Sequence, residues 1–120
     1  MILIVEDDEG VAELMKHIVQ RAGFDSFIAY SSANALQWIT TNVPQFILMD
    51  YHLPDGCAYD LILEMRDLRS VLPPIVVTTG ECEFQIAEKL APLGVQQCMI
   101  KDGRFLDELP KVIQAIVKIS

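Results

Sequence analysis

Side chains that bind cations or act on phosphorus follow four of the short apolar runs in the chain. In chain order they are Glu6, Asp7 and Asp8, then Asp50, then Thr79, and finally Lys101. Carboxylates are preferred ligands of Mg²⁺, and a carboxylate can act as a nucleophile toward phosphorus. A hydroxyl and an ammonium group can stabilise the oxygens of a transferred phosphoryl group. These residue types together favour phosphoryl transfer to Asp50 at a divalent cation, assisted by Thr79 and Lys101.

The acidic triplet at 6–8 is more than a helix N-terminus requires. One Asp that caps a helix or faces its dipole contributes about 1 kcal/mol. Three acids close to Asp50 would repel one another by roughly 3 kcal/mol per pair at ~5 Å and an effective dielectric constant of about 20. A hard divalent cation offsets this repulsion because it takes oxygen ligands, including one or two carboxylates. The triplet therefore predicts a metal site.

Five short apolar runs predict the strands that would position these groups. They are MILIV at 1–5, FDSFIA at 24–29, FILM at 46–49, PIVVTT at 74–79 and VQQCMI at 95–100. Four runs are too apolar to have a solvent-exposed face, so they predict buried strands. The second run alternates between polar and apolar residues, which is typical of a strand at the edge of a sheet.

Segments with helical spacing lie between and after these runs. Apolar stripes cover 11–19, 35–39, 61–68 and 109–117, and a weaker stripe covers 82–92. Strand and helix therefore alternate five times, which predicts an α/β fold with a parallel sheet and helices on both faces. Ligands bind such sheets outside the carboxyl ends of the strands. The candidate residues all fall there.

Composition narrows the classes of function. A chain of 120 residues fits one domain, and a net charge of −8 argues against binding to nucleic acid or to an anionic membrane. The three cysteines lack the spacing of a zinc site or a disulfide framework, so we interpret them as reduced thiols. No apolar run approaches the ~18 residues of a membrane span, and the first residues lack the basic start of a signal peptide. We therefore expect a cytoplasmic protein.

The same residues resemble the receiver domain of two-component response regulators, over essentially the whole chain, 1–120. LIVEDD resembles the acidic pair of the family, ILMDYHLPDG its phosphoacceptor segment, and PIVVTTG its switch threonine followed by a small residue. Lys101 stands where the family has a lysine. The resemblance implies a flavodoxin-like, doubly wound five-stranded parallel sheet of order 2-1-3-4-5 with five helices.

The resemblance also implies roles for the site residues. Asp50 would accept a phosphoryl group from the phosphohistidine of a histidine kinase or a histidine phosphotransfer protein. Mg²⁺, or Mn²⁺ in its place, would be held by Asp7, Asp50 and the backbone carbonyl of His52, with Glu6 acting through water. The domain would catalyse only its own phosphorylation and dephosphorylation.

Phosphorylation would then change the choice of protein partner. New contacts of Thr79 and Lys101 with the phosphoryl group would move the segment 79–84 and bias a face made of helix 4, strand 5 and helix 5. That face would bind an output domain or a target protein, or form a homodimer. The chain would be either a stand-alone receiver or a domain of a longer regulator or hybrid kinase.

Three positions depart from the usual pattern of the family. Ala58 stands where glycine is common after the phosphoacceptor segment, and we expect this change to be tolerated. Cys98 stands where many receivers carry an aromatic residue that moves with the threonine, which leaves the aromatic half of the switch open. Asp102 follows Lys101 where proline, with a cis peptide bond, is common. His52 and Glu81 occupy positions that tune phosphoryl hydrolysis in the family, and we expect His52 to be an exposed loop residue.

Three other classes remain as alternatives. The strongest is a binding module of the same fold that is never phosphorylated. A phosphatase of the haloacid dehalogenase type would want a second Asp two residues after the nucleophile, where His52 stands. A flavodoxin-like flavin binder would need a phosphate loop after the first strand, and the acids at 6–8 would repel that phosphate.

Overall fold

Strands and helices alternate along the chain as the apolar runs predict. The computed structural model describes the backbone of residues 1–80 and 84–119, and all their side chains except those of Phe84, Lys118 and Ile119. Within these ranges the main elements are β1 Ile2–Val5, α1 Glu9–Arg21, β2 Ser26–Ala29, α2 Ser32–Ile39, β3 Phe46–Asp50, α3 Ala58–Leu68, β4 Ile75–Thr79, α4 Phe84–Leu90, β5 Val95–Ile100 and α5 Phe105–Ile119. A 3₁₀ turn at Ala91–Leu93 follows α4.

The five strands form one parallel sheet in the order β2-β1-β3-β4-β5. This is the predicted order 2-1-3-4-5, and the predicted edge position of the second strand is confirmed. The register aligns the carboxyl ends, because Val5 pairs with Met49, Asp50 pairs with Thr78, and Thr79 pairs with Ile100. Residues that follow β1, β3 and β5 therefore emerge along one edge of the sheet.

Alternating side chains of the central strands enter two separate hydrophobic cores. On one face Leu3 and Met49 pack with Ile62 of α3, in the core that α2, α3 and α4 cover. On the other face Ile4 and Leu48 enter the core that α1 and α5 cover. Because β1, β3 and β4 are fully buried, the sheet is a rigid frame for whatever its carboxyl edge carries.

Several details differ from the prediction. The fifth run was expected to lack a solvent-exposed face, which is wrong: Gln96 and Gln97 are exposed because β5 lies at the second edge of the sheet. Leu14 and Leu68 belong to the predicted stripes of α1 and α3, yet their exposed fractions are 50% and 51%. The weakest predicted helix, 82–92, corresponds to the seven-residue α4, and its first two positions lie outside the described residues.

Contacts at the carbonyl end and on one side of α2 join it to its neighbours. Arg69, just after α3, donates from Nε to the carbonyl of Ile39 at 3.0 Å and from Nη2 to the carbonyl of Asn42 at 3.4 Å. Trp38, the single tryptophan, stacks on Phe27 of β2 with ring centroids 5.2 Å apart. The helix is thus fixed to α3 at its carbonyl end and to the sheet edge at its side.

Among the described helices, none combines the length and the apolar character that crossing a bilayer requires.

Candidate functional site

Three carboxylates converge at the carboxyl edge of the sheet. Glu6 and Asp7 directly follow β1, and Asp50 is the last residue of β3. Each offers an oxygen, and these oxygens all lie within 4.8 Å of one another. Glu6 and Asp50 are buried, with exposed fractions of 1% and 7%, whereas Asp7 is exposed. The expected cluster of acids therefore forms, and it opens to solvent on the side of Asp7.

Lys101 joins two of these acids. Its Nζ lies 2.7 Å from Oε2 of Glu6 and 3.1 Å from Oδ1 of Asp50. The lysine follows β5, and its backbone N–H donates to the carbonyl of Thr79 at 2.8 Å, which fixes where the side chain leaves the sheet. A single ammonium group thus neutralises part of the charge of two buried carboxylates.

Burial dominates the electrostatics of the site. Desolvation raises the pKa of Glu6 and the pKa of Asp50 above their usual values, although Lys101 acts in the opposite direction on both. Burial alone would lower the pKa of Lys101, but its hydrogen bond to Glu6 and the charges of Asp50 and Glu6 raise it overall. The two carboxylates therefore carry more negative charge than their surroundings favour, which is the condition for attracting a cation.

The third acid of the triplet has a different task. Asp8 is the N-cap of α1, and its Oδ1 accepts from the backbone N–H of Val11 at 3.0 Å. Its own N–H donates to Oε1 of Glu6 at 3.2 Å. One acid of the triplet therefore serves the helix while Glu6 and Asp7 face the cluster.

The two threonines at the end of β4 are buried beside β3. Thr78 pairs with Asp50, and its Oγ1 donates to the carbonyl of Met49 at 3.5 Å. Thr79 follows it with an exposed fraction of 1%. The proposed switch residue thus lies one position beyond the partner of Asp50, between β3 and β5. Glu81, a predicted tuning residue, lies outside the described residues.

A short hairpin follows Asp50. Residues His52–Leu53 pair antiparallel with Gly56–Cys57, and the N–H of Ala58 donates to the carbonyl of Tyr51 at 2.8 Å. The side chain of His52 is exposed, as expected for a loop histidine, and its ring meets the ring of Tyr51 edge-on at 5.0 Å.

The structure shows the surroundings of two positions that depart from the family pattern, Cys98 and Asp102. Cys98 is half-buried, and it packs against the core on the side of α3 and α4. The peptide bond between Lys101 and Asp102 is trans, as are all peptide bonds in the described parts of the chain.

The donor set fits a hard divalent cation. Three carboxylate oxygens within 4.8 Å of one another match the oxygen ligands and the small size of Mg²⁺ or Mn²⁺. The partial burial of the cluster strengthens the attraction, because charges interact more strongly away from bulk water.

One residue near the site was missed by sequence reasoning. Asp55, at the tip of the hairpin, accepts from the backbone N–H of Ser32 at 2.8 Å and from that of Ala33 at 3.0 Å. These bonds lower the pKa of the Asp55 carboxyl below its usual value. In the sequence Asp55 is only part of a Pro-Asp-Gly turn signal, and nothing there indicates that its side chain reaches the start of α2.

Comparison with known proteins places this geometry in a family. Residues 2–114 match the family described as response regulator receiver domain. The methanogenesis regulatory protein FilR1 of Methanothrix harundinacea is 29% identical over 117 residues, which are 94% of this chain and 26% of that protein. The chain spans less than half the length of the first curated relatives that it matches.

Solved structures share the fold across nearly the whole chain. A two-component response regulator from Clostridium difficile has a TM-score of 0.88 and 26% identity, covering 98% of this chain and 94% of that one. A response regulator from Burkholderia pseudomallei has a TM-score of 0.78 and 23% identity, covering 95% and 70%, and it supports the fold alone. Together with the match over residues 2–114, the motifs at the strand ends identify the chain as a member of the response regulator receiver domain family of two-component signalling.

Proposed function

We propose that the chain, taken as one domain over residues 1–120, accepts a phosphoryl group on Asp50 in a reaction that depends on Mg²⁺ or Mn²⁺. The observation that carries this proposal is the cluster of Glu6, Asp7 and Asp50 within 4.8 Å, with Lys101 joined to two of its members. The donor is the phosphohistidine of a histidine kinase or a histidine phosphotransfer protein. Its P–N bond breaks as a P–O bond to the carboxylate of Asp50 forms.

The residues of the chain have distinct parts in this reaction. Asp7, Asp50 and the backbone carbonyl of His52 hold the metal, and Glu6 holds Lys101 in place and reaches the metal through water. The bound cation supplies charge neutralisation for the carboxylates and for the phosphoryl oxygens. Lys101 adds a second positive charge at the same oxygens.

The phosphorylated domain then binds a different protein. The new dianionic group attracts Thr79 and Lys101, which biases the face formed by α4, β5 and α5. An output domain, a target protein or a second copy of the chain occupies that face. Receiver domains are signalling modules, and beyond its own phosphorylation and dephosphorylation we assign no enzymatic activity to this one. We place it in the cytoplasm, without nucleic acid or membrane as a partner.

A solved structure of the same fold contains both kinds of group that the proposal invokes. The Burkholderia pseudomallei response regulator contains a phosphorylated aspartic acid and a calcium ion. The phosphorylated residue is an aspartate, as Asp50 is, and calcium is a divalent cation that takes oxygen ligands such as those of the cluster. We carry both features to this chain as part of the proposal.

Incubation with acetyl phosphate and Mg²⁺ tests the proposal directly. We expect intact-mass spectrometry to detect one added phosphoryl group on the wild type and none on Asp50→Asn. Asp60→Asn, which alters an exposed carboxylate in the first turn of α3, is the matched control and should be phosphorylated normally. Absence of phosphorylation and of any response to beryllofluoride with Mg²⁺ would instead favour a binding module that is never phosphorylated.

A further inference from the structure

The carboxylate of Asp55 connects two elements that are distant in sequence. It accepts hydrogen bonds from the N–H groups of Ser32 and Ala33, 2.8 and 3.0 Å long, across 23 and 22 positions of the chain. Bonds from N–H groups to a carboxylate are stronger than bonds between neutral groups. The tip of the hairpin that follows Asp50 is therefore attached to the first turn of α2.

The start of α2 depends on this contact. The first turn of the helix contains no acidic residue, and the hydroxyl of its N-cap Ser31 accepts the N–H of Asn34 at 3.1 Å. Asp55 accepts the two N–H groups that precede Asn34, and it supplies the negative charge that a helix N-terminus favours. The helix thus receives part of its N-terminal cap from the hairpin.

The hairpin in turn carries a group that the site needs. At its base the N–H of Tyr51 donates to the carbonyl of Thr78 at 2.8 Å, which continues the pairing of β3 with β4. At its tip Gly56 has a φ of +154°, a conformation that side chains with a Cβ rarely adopt. Between base and tip lies His52, whose backbone carbonyl is a metal ligand in the proposed function.

We propose that Asp55 is a positioning residue for the metal site: by bonding the first turn of α2 it holds the hairpin so that the carbonyl of His52 faces the carboxylates. This inference rests on the proposed function. Asp55 itself is exposed, its carboxylate accepts from N–H groups of α2, and we assign it no direct contact with the metal or the phosphoryl group. It acts through geometry, because a metal ligand on a loop with one anchor is less well oriented than a ligand on a loop with two.

A merely structural role makes a different prediction. If Asp55 only capped α2, its loss would lower the stability of the fold and leave the affinity for metal unchanged. Ser31→Ala provides the matched comparison, because it removes the cap at the same helix end without touching the hairpin. Both changes should lower the free energy of unfolding, and only the loss of Asp55 should weaken metal binding.

The experiment measures Mg²⁺ binding by isothermal titration calorimetry and stability by urea unfolding in EDTA. We expect Asp55→Ala to weaken Mg²⁺ binding by about 10-fold, the usual size of effects from groups that orient a ligand. Asp55→Asn keeps one acceptor oxygen and should lie between Asp55→Ala and the wild type. Ser31→Ala should bind Mg²⁺ like the wild type.

Each alternative result has a definite meaning. Equal Mg²⁺ affinity of Asp55→Ala and the wild type would overturn the inference and leave the proposed function standing. Equal weakening by Ser31→Ala would also overturn it, since the effect would then come from α2. A wild type that binds no Mg²⁺ would overturn the proposed function, and the inference with it.

Discussion

At the scale of single residues, Lys101 stabilises the acidic cluster when no cation is bound. Its ammonium group contacts Glu6, which is almost fully buried, and Asp50. Removing one partner of a buried ion pair is costly because the other charge stays desolvated. The lysine therefore stabilises the metal-free fold in addition to its proposed contact with phosphoryl oxygens.

We expect Lys101→Met to lower the free energy of unfolding at neutral pH by about 3 kcal/mol in EDTA. The loss should shrink in saturating Mg²⁺, because a bound cation replaces part of the missing charge. Urea unfolding in the two buffers measures both values, and Lys16→Met, at an exposed position of α1, serves as the control. An equal loss in both buffers would contradict this account.

At the scale of elements, α2 is held at its two ends by residues of other segments. Asp55 meets its N-terminal N–H groups, and Arg69 meets the carbonyl of its last residue, Ile39. Opposite charges thus face opposite ends of the helix dipole. With eight residues the helix is too short to be stable alone, so these contacts are needed.

Replacing Arg69 tests the carbonyl end of α2. We expect Arg69→Leu to destabilise the fold by about 1–2 kcal/mol, because both donors are lost while the apolar stem remains. Arg69→Lys should lose less, since one ammonium can still reach a carbonyl. Urea unfolding gives the magnitude, and hydrogen exchange should show faster exchange in α2 than in α3. An exchange pattern that is unchanged in α2 would exclude this role.

At the scale of the whole molecule, ionisation of the site links stability to pH and metal. The pKa values of Glu6 and Asp50 are raised in the folded state, so the native protein binds their protons more tightly than the unfolded chain does. Their contribution to stability is therefore fully present below the usual carboxyl pKa and is lost as the pH rises through the raised values. Asp55, with its lowered pKa, contributes in the opposite sense and loses its contribution in acid.

We therefore expect the metal-free protein to melt at a higher temperature at about pH 5 than at about pH 7.5. Mg²⁺ should raise the melting temperature more at the higher pH, because it binds the deprotonated carboxylates. Calorimetry with and without millimolar Mg²⁺ measures both effects, and Asp50→Asn should show a weaker dependence on each. A melting temperature that is the same with and without Mg²⁺ at every pH would argue strongly against the metal site.

The sequence predicted the sheet and the residues at its carboxyl edge better than it predicted how the helices and the hairpin pack around it. Parallel strands align their carboxyl ends, and this brings together Glu6, Asp7, Asp50 and Lys101. Each of these residues follows an apolar run, which can be recognised from neighbouring positions in the sequence alone. The exposure of Leu14, by contrast, depends on which side of α1 the rest of the fold covers, which no local pattern records. The contact of Asp55 with α2 depends on how a hairpin and a helix lie side by side, so only the folded structure reveals it.

The stacking of Trp38 on Phe27 determines what optical measurements on this protein can observe. Trp38 is the only indole, and it lies on α2 beside the edge strand, whereas Tyr51 is the aromatic residue next to Asp50. Tryptophan fluorescence, excited at wavelengths where tyrosine absorbs little, therefore reports on the surroundings of Trp38 in α2 and on its stacking with Phe27. A change in that emission on addition of Mg²⁺ is the result expected if the contact of Asp55 with α2 transmits metal binding from the hairpin to the helix, and it would be observable in the native protein without an added label.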